Sequence, residues 1–376
     1  MTTPALPNRP VWDEGPAPEL PALAHDVEAD VCVVGLGGSG LAAVHELLAL
    51  GRSVVGLDAG VVGGAAAGRN GGFLLAGPAD FHHDAVAKHG RDRAVRMYHL
   101  TLAEIDRMIG ETPEAIRRVG SIRLAASDEE VEDCRVQLDA MRADGLAAEW
   151  YEGPLGTGLR IPTDCAFQPM ARARALAARA AERGARLFER SAAVEIAGAG
   201  PLAAGGTVRC RAVVVAVDGA LDRLLPELAP RIRSTRLQML ATAPTREVSV
   251  PGPVYARYGF DYWQQLPDGR ISLGGCRDLD MENEWGHDAT PTPTIQAALD
   301  RVLRERVGVR EAPVTHRWAA VVGYTDDGLP VFAEARPGVW AVGAYSGTGN
   351  VVGALCGRAA ARRAVGLPSE MAALLV

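Results

Sequence analysis

Lysine is nearly missing from this chain: Lys88 is the only one among 376 residues, and arginine carries the rest of the positive charge. Chemistry that needs a lysine beside its reacting centre has one place to find it. The six cysteines, at positions 32, 134, 165, 210, 276 and 356, form no C-x-x-C, and no His/Cys group has zinc spacing. They sit mostly in apolar runs and read as reduced, buried thiols, which suits a cytoplasmic location. No metal site is expected. A basic face is also missing; the net charge of −7 and pI near 5.7 exclude a nucleic-acid partner. Met1 to Asp26 is rich in proline and acidic residues and lacks the basic start and apolar stretch of a signal peptide. The run from Val31 to Leu50 is long and nearly uncharged, but its four glycines and the His45-Glu46 pair argue against a membrane helix, so no membrane span is expected. There is no G-x-S-x-G nucleophile signature, internal repeat or low-complexity tract.

What is present is an ordinary globular composition, 48% hydrophobic and 23% charged. The length exceeds the roughly 250–300 residues at which single cores stop growing, which implies two domains. Residues 1–28 read as an extended, Pro-rich leader along the surface. Residues 30–35 form a buried strand, 39–50 a helix and 53–58 the next strand. Helical spacing recurs over 92–119, 128–145 and 170–183, with a strand at 120–125 between the first two. Strands follow at 185–189 and 207–217. From about 231 to 320 the texture changes: Tyr255 to Gln265 alternates and is aromatic, Pro267-Asp268-Gly269-Arg270 is a turn, and Ile271 to Gly275 returns as a hairpin strand.

The strongest motif is Gly35-x-Gly37-x-x-Gly40, set between a strand and a helix. Gly35 permits the tight turn, Gly37 clears space for a pyrophosphate, and Gly40 lets helix and strand pack closely. The helix N-terminus offers free N–H groups to phosphates. Asp58, 18 residues beyond Gly40, ends the next strand and can accept ribose hydroxyls. Gly68-Arg69-Asn70-Gly71-Gly72 follows, with little bulk and many N–H donors, so a planar ring can approach its backbone. Near the other end, Val339 to Gly343 is a strand, Ala344 to Gly349 a glycine loop, and Asn350 to Arg363 a helix. A chain that opens and closes on one cofactor points to FAD more than to a nicotinamide. Thr325-Asp326-Asp327-Gly328-Leu329-Pro330 is a turn leading into the last strand. Phe81-His82-His83-Asp84 reads as a solvated loop.

Taken together, Glu28 to Gly40, Gly68 to Gly72, Leu266 to Gly275, Thr325 to Pro330 and the closing loop resemble the D-amino-acid-oxidase-like family of FAD-dependent amine and amino-acid oxidoreductases. The leader and Gly-Arg-Asn-Gly-Gly look most like its gamma-glutamylputrescine oxidoreductase branch. The resemblance implies an α/β (α+β overall) fold. A discontinuous Rossmann-like FAD-binding domain would comprise 1–80, 165–230 and 315–376. A mainly antiparallel substrate domain flanked by helices would comprise 81–164 and 231–314. Carried over by position, the ADP half would lie on Gly35, Gly37, Gly38, Ser39, Gly40, Asp58, Ala59 and the backbone at Val194. The ring would meet Arg69, Asn70, Gly71, Thr348, Asn350 and Val351, with Gly72, Gly219, Gly347 and Gly349 in the same cofactor-contacting set. Tyr262 and Arg257 would position substrate.

Three departures narrow the expectation. Val322 stands where glycine and D-amino-acid oxidases place an arginine that grips the substrate carboxylate, which shifts the expectation to amines, or to amino acids bound through another group. Ala320 stands where relatives attach flavin through cysteine, so the FAD is expected to be noncovalent. Ser272 stands where relatives place an oxygen-activating lysine. The expected reaction is oxidation of a C–N bond by hydride transfer to flavin N5, with the imine then hydrolysed. Oxygen, giving peroxide, or another acceptor would take the electrons. Alternatives are a glycine or D-amino-acid oxidase or dehydrogenase, an NAD(P)-dependent dehydrogenase, and a flavin-binding protein without turnover.

Overall fold

The computed structural model describes residues 6–197, 200–203 and 205–375, without the side chains of 197 and 200–202. Residues 1–5 of the expected leader, and residue 376, lie outside that set. The strand Val31–Val34 takes its place in a six-stranded sheet because its side chains are apolar on both faces. Arg186–Phe188, Val54–Leu57 and Val31–Val34 run parallel, continuing through Ala212–Val215 and Val339–Gly343; Val331–Arg336 closes the edge antiparallel. One face packs on the helices Gly38–Ala49 and Val352–Ala364. The other face buries Cys32, Val55, Val213 and Val215. The two helices touch because Gly357 has no side chain: a Cβ there would lie 1.9 Å from the Ser39 carbonyl oxygen. These two helices, from opposite ends of the chain, are thereby packed backbone to backbone.

The second lobe is an eight-stranded sheet: Val314–Tyr324, Arg233–Thr242, Ile271–Gly275, Asp261–Gln265, Val254–Ala256, Ser121–Leu124, Gly156–Ile161 and Glu149–Gly153. Every neighbour is antiparallel except Val254–Ala256 on Ser121–Leu124. Its inner face faces the first lobe; the helix Pro293–Val302 packs outside it. Among the described residues no helix is long and apolar enough to cross a membrane.

Several sequence expectations need correction. The strand Val314–Tyr324 pairs with Arg233–Thr242 over its whole length, so residues beyond 315 continue the second sheet rather than returning at once to the first. The expected strand 207–217 is two strands in different sheets, Gly206–Arg209 and Ala212–Val215. The aromatic stretch is interrupted: Arg257 (φ 53°), Tyr258 (φ 54°) and Gly259 (φ 88°) are all left-handed and turn the chain between Val254–Ala256 and Asp261–Gln265. The leader does not simply coat the surface, because Val11 and Trp12 are buried against Met170, Met239 and Trp318. His82 is not in a solvated loop. It opens the helix His82–His89, is buried under the Tyr98 ring, and its Nε2 lies 2.6 Å from the Asp144 carboxylate.

Candidate active site

A cavity of about 1000 Å³ lies between the two lobes. One end of it starts at Gly35 (φ 95°), where a Cβ would lie 2.5 Å from the Ala216 carbonyl oxygen. At Gly40 a Cβ would lie 1.7 Å from the Gly35 carbonyl oxygen, so strand and helix meet with no side chain between them. Gly37 differs: a Cβ there would meet only the Ala67 methyl, at 3.2 Å, and it opens on the cavity. No side chain caps this helix N-terminus, leaving its amides for an anion. Asp58 is fixed by the Leu36 and Gly60 amides, each donating at 2.8 Å. Burial pushes its carboxyl above the usual carboxylate range, and hydrogen bonds from hydroxyls would favour the ionised form.

The small loop at 69–72 is held by its carbonyls. Trp318 Nε1 donates to the Arg69 carbonyl at 2.8 Å, Trp12 Nε1 to that of Asn70 at 2.7 Å, and Gln264 Nε2 to that of Gly71 at 2.6 Å. Arg69 itself donates to the Ala319 carbonyl at 2.8 Å and to Asn8. Among the described residues the amides of Asn70 and Gly71 have no acceptor, and both residues line the cavity. The loop therefore presents donors inward because neighbouring segments have taken its acceptors. The closing loop is tied to it directly: Asn350 Nδ2 donates to Asn70 Oδ1 at 3.2 Å and to the Phe73 carbonyl at 2.8 Å. Ala344, Ser346 and Gly347 are left-handed, which folds this loop tightly after its strand. Asp218, also left-handed, lies half-buried beneath it and receives the amides of Gly323 and Tyr345; loss of solvent pushes its carboxyl up to about 6.

Of the sequence-chosen residues, Gly35, Gly37, Gly38, Ser39, Asp58, Ala59, Arg69, Asn70, Gly71, Val194 and Gly347 through Val351 line this cavity, as does Tyr262. Gly40 and Gly72 stand behind the lining and shape the turns. Gly219 lies outside it, pressed on the backbone of Val322 and Gly323 while its carbonyl accepts the Ser234 hydroxyl at 2.6 Å. Arg257 is the clear miss. The turn at 257–259 sends it to a separate cleft, where it pairs with Asp261 at 3.1 Å and with Asp278.

The lid of the cavity is the inner face of the large sheet. Tyr255 and Tyr262 stand directly opposite each other on adjacent strands. Leu237, Ala320, Val322 and Tyr324 continue the same wall. Tyr262 touches the 69–72 loop: a Cβ on Gly71 would lie 3.1 Å from its ring. It also meets Phe73 edge-on at 6.1 Å. Burial raises the pKa of both Tyr262 and Tyr324, so both stay neutral donors. Lys88 pairs with Asp80 at 3.1 Å, and the Ser272 hydroxyl is buried behind the wall without a partner. No cysteine lines the cavity among the described residues.

Sequence reading missed Asp164, Tyr324 and Arg277, all of which line the cavity. Asp164 is buried with neutral partners only, the Ser121 hydroxyl at 2.6 Å and the Ala76 amide at 3.0 Å, and burial pushes its carboxyl from 3.8 to about 7. A carboxyl raised in this way holds its proton longer when folded, so it costs stability as pH climbs from about 4 to about 7. Asp164→Asn keeps the shape without the charge. Urea denaturation of the apoprotein is expected to show the variant more stable than the parent at pH 8, by on the order of 2–4 kcal/mol, with the gap shrinking at pH 5. A gap that widens toward low pH would contradict this assignment.

A parallel sheet carrying a glycine turn, a free helix N-terminus and a strand-terminal acid defines a dinucleotide-binding oxidoreductase lobe. An antiparallel sheet roofs it across the cavity. The chain belongs to the DAO family, FAD dependent oxidoreductase, which matches residues 30–363. It is 26% identical to the probable oxidoreductase OrdL of Rhizobium meliloti (strain 1021), over 96% of this chain and 89% of that protein. It is 25% identical to the gamma-glutamylputrescine oxidoreductase of Escherichia coli (strain K12), over 89% and 83% respectively. Glycine oxidase from Geobacillus kaustophilus has a similar fold, with a TM-score of 0.74 at 20% identity over 92% of this chain and 96% of that one. The protein is thus an FAD-dependent oxidoreductase.

Proposed function

We propose that this enzyme oxidises the carbon–nitrogen bond of an amine or amino acid, with noncovalent FAD held by Gly35–Ser39, Asp58, Arg69–Gly71 and Gly347–Val351, and that it works in the cytoplasm. The observation that carries the reading is the aromatic and apolar wall set directly against the 69–71 loop, through the Tyr262–Gly71 contact. When bound, FAD supplies a two-electron acceptor for the hydride on the carbon next to nitrogen. The chain's own work is to orient and to exclude water. Leu237, Met239, Ala320 and Val322 offer no hydrogen bonds, so an amine entering against them is favoured in its neutral form, the one whose nitrogen lone pair assists loss of hydride. Tyr262 and Tyr324, held neutral, donate hydrogen bonds that fix the substrate. The product imine is hydrolysed by water to a carbonyl compound and an amine or ammonia. Oxygen, giving peroxide, or another acceptor takes up the electrons.

The test is anaerobic mixing of the yellow holoenzyme with a panel of amines and D- and L-amino acids. Loss of the oxidised-flavin absorbance with one structural class is expected; no loss with any compound would overturn the reading. With the active compound, Tyr262→Phe is expected to lower kcat/KM about tenfold, the effect of one neutral hydrogen bond, with FAD content unchanged.

A further inference from the structure

The described buried carboxylates are compensated, except one that lines the cavity. Glu104 pairs with Arg358 at 2.9 Å, Glu284 with Arg236 at 2.9 Å and Asp261 with Arg257 at 3.1 Å. Glu130 accepts the Ala126 amide at 3.2 Å at the positive end of the helix Asp128–Ala143. Asp164 is 2% exposed and has neither an ion pair among the described residues nor a helix end. Its contacts, the Ser121 hydroxyl and the Ala76 amide, are neutral and take up one lone pair on each carboxylate oxygen. A buried carboxylate held by neutral donors alone is costly to ionise until a cation completes it.

The surroundings offer acceptors and no free charge. Tyr98 and Tyr255 line the cavity beside Asp164, and burial, followed by the field of that carboxylate, pushes both phenols up. The cations of the neighbouring elements are engaged elsewhere: Arg123 with Asp133, Gln137 and the face of Phe81, and His82 with Asp144. The place of Asp164 along the cavity is set by strand pairing. It immediately precedes Cys165–Phe167, in which Ala166 pairs with Phe73, and Phe73 meets Tyr262 edge-on beside the 69–72 loop. Asp164 therefore stands two residues, roughly 7 Å, along that strand from the Tyr262 contact. That is the reach of about five single bonds of ~1.5 Å each in a zigzag chain.

We propose that Asp164, with the Tyr98 and Tyr255 hydroxyls, is a subsite for a second, protonated nitrogen, so that the amine oxidised here is a diamine. This rests on reading the cavity as an amine-oxidising site. A primary ammonium has three donors, which match the free lone pairs of the carboxylate and the two phenol oxygens. The far end of the substrate is thus anchored as an ion, while the apolar wall by the 69–72 loop takes the reacting amine uncharged.

The test is an anaerobic calorimetric titration of the holoenzyme with cadaverine and with aminopentanol, which ends in a neutral hydroxyl in place of the second ammonium. The parent is expected to bind cadaverine at least about tenfold more tightly, the effect of one hydrogen-bonded charge. Asp164→Asn keeps the shape without the charge; it is expected to retain full FAD and to lose that preference. In turnover, the ratio of kcat/KM for cadaverine over aminopentanol is expected to collapse in the same variant. Equal binding of the two compounds by the parent, or an unchanged preference in Asp164→Asn, would overturn the subsite. Binding heats need no turnover, so they decide on Asp164 even if no amine reduces the flavin; that second result would sink the functional reading alone.

Discussion

Gly40→Ala is expected to destabilise the protein by at least about 3 kcal/mol, and Gly37→Val to leave folding nearly intact while abolishing FAD retention. At Gly40 the added Cβ would sit 1.7 Å from the carbonyl oxygen and 2.9 Å from the carbonyl carbon of Gly35. Both are backbone atoms, so no rotamer relieves the clash. Helix Gly38–Ala49 would have to move off the strand Val31–Val34, opening the core that contains Val33 and Leu41. At Gly37 the only obstacle is one methyl at 3.2 Å, and the new side chain would enter the space a pyrophosphate needs. Urea midpoints and FAD content of the purified variants separate the two: Gly40→Ala shifts the midpoint, while Gly37→Val comes out colourless and folded. A yellow Gly37→Val with parent-like affinity would show that the phosphates lie elsewhere.

Trp12→Ala is expected to cost about 3–5 kcal/mol and to loosen FAD as well. Trp12 is 2% exposed and packs with Val11, Met170, Met239 and Trp318. Its indole N–H also satisfies the Asn70 carbonyl at 2.7 Å. Removing the ring leaves a cavity beneath the 69–72 loop and an orphan acceptor in it. Trp12→Phe separates the two effects, since it keeps most of the volume but not the donor. It is expected to fold normally and to raise the FAD dissociation constant about tenfold, measured by flavin fluorescence titration. Unchanged FAD binding in both variants would mean that the leader does not support the loop.

The glycine-rich end of the cavity was readable from sequence because its demands are local. Gly35 and Gly40 are needed within one turn of chain, and Asp58 follows at the end of the adjacent strand. The wall made by the large sheet was much less readable, because strand register and chain reversals decide it. Arg257 looked like a wall residue only while residues 255–265 were taken as one strand; three left-handed residues in a row put it on the far side, with Asp261 and Asp278. Arg277 carries no periodic signal, since a single left-handed cysteine delivers it to the cavity. Asp164 owes its character to burial where segments far apart in sequence meet, with the Ser121 hydroxyl and the Ala76 amide as its side-chain partners. Trp12 sits in a Pro-rich stretch with no period at all. The tie between Asn70 and Asn350 spans 280 residues, and no local pattern announces it.

The most direct measurement is the flavin content of the protein before and after heat denaturation. The account predicts close to one FAD per chain, released entirely into solution on denaturation and restored by adding FAD to refolded apoprotein. Flavin that stays on the denatured polypeptide would contradict the noncovalent site, and apoprotein that takes up NAD but not FAD would contradict the cavity assignment altogether.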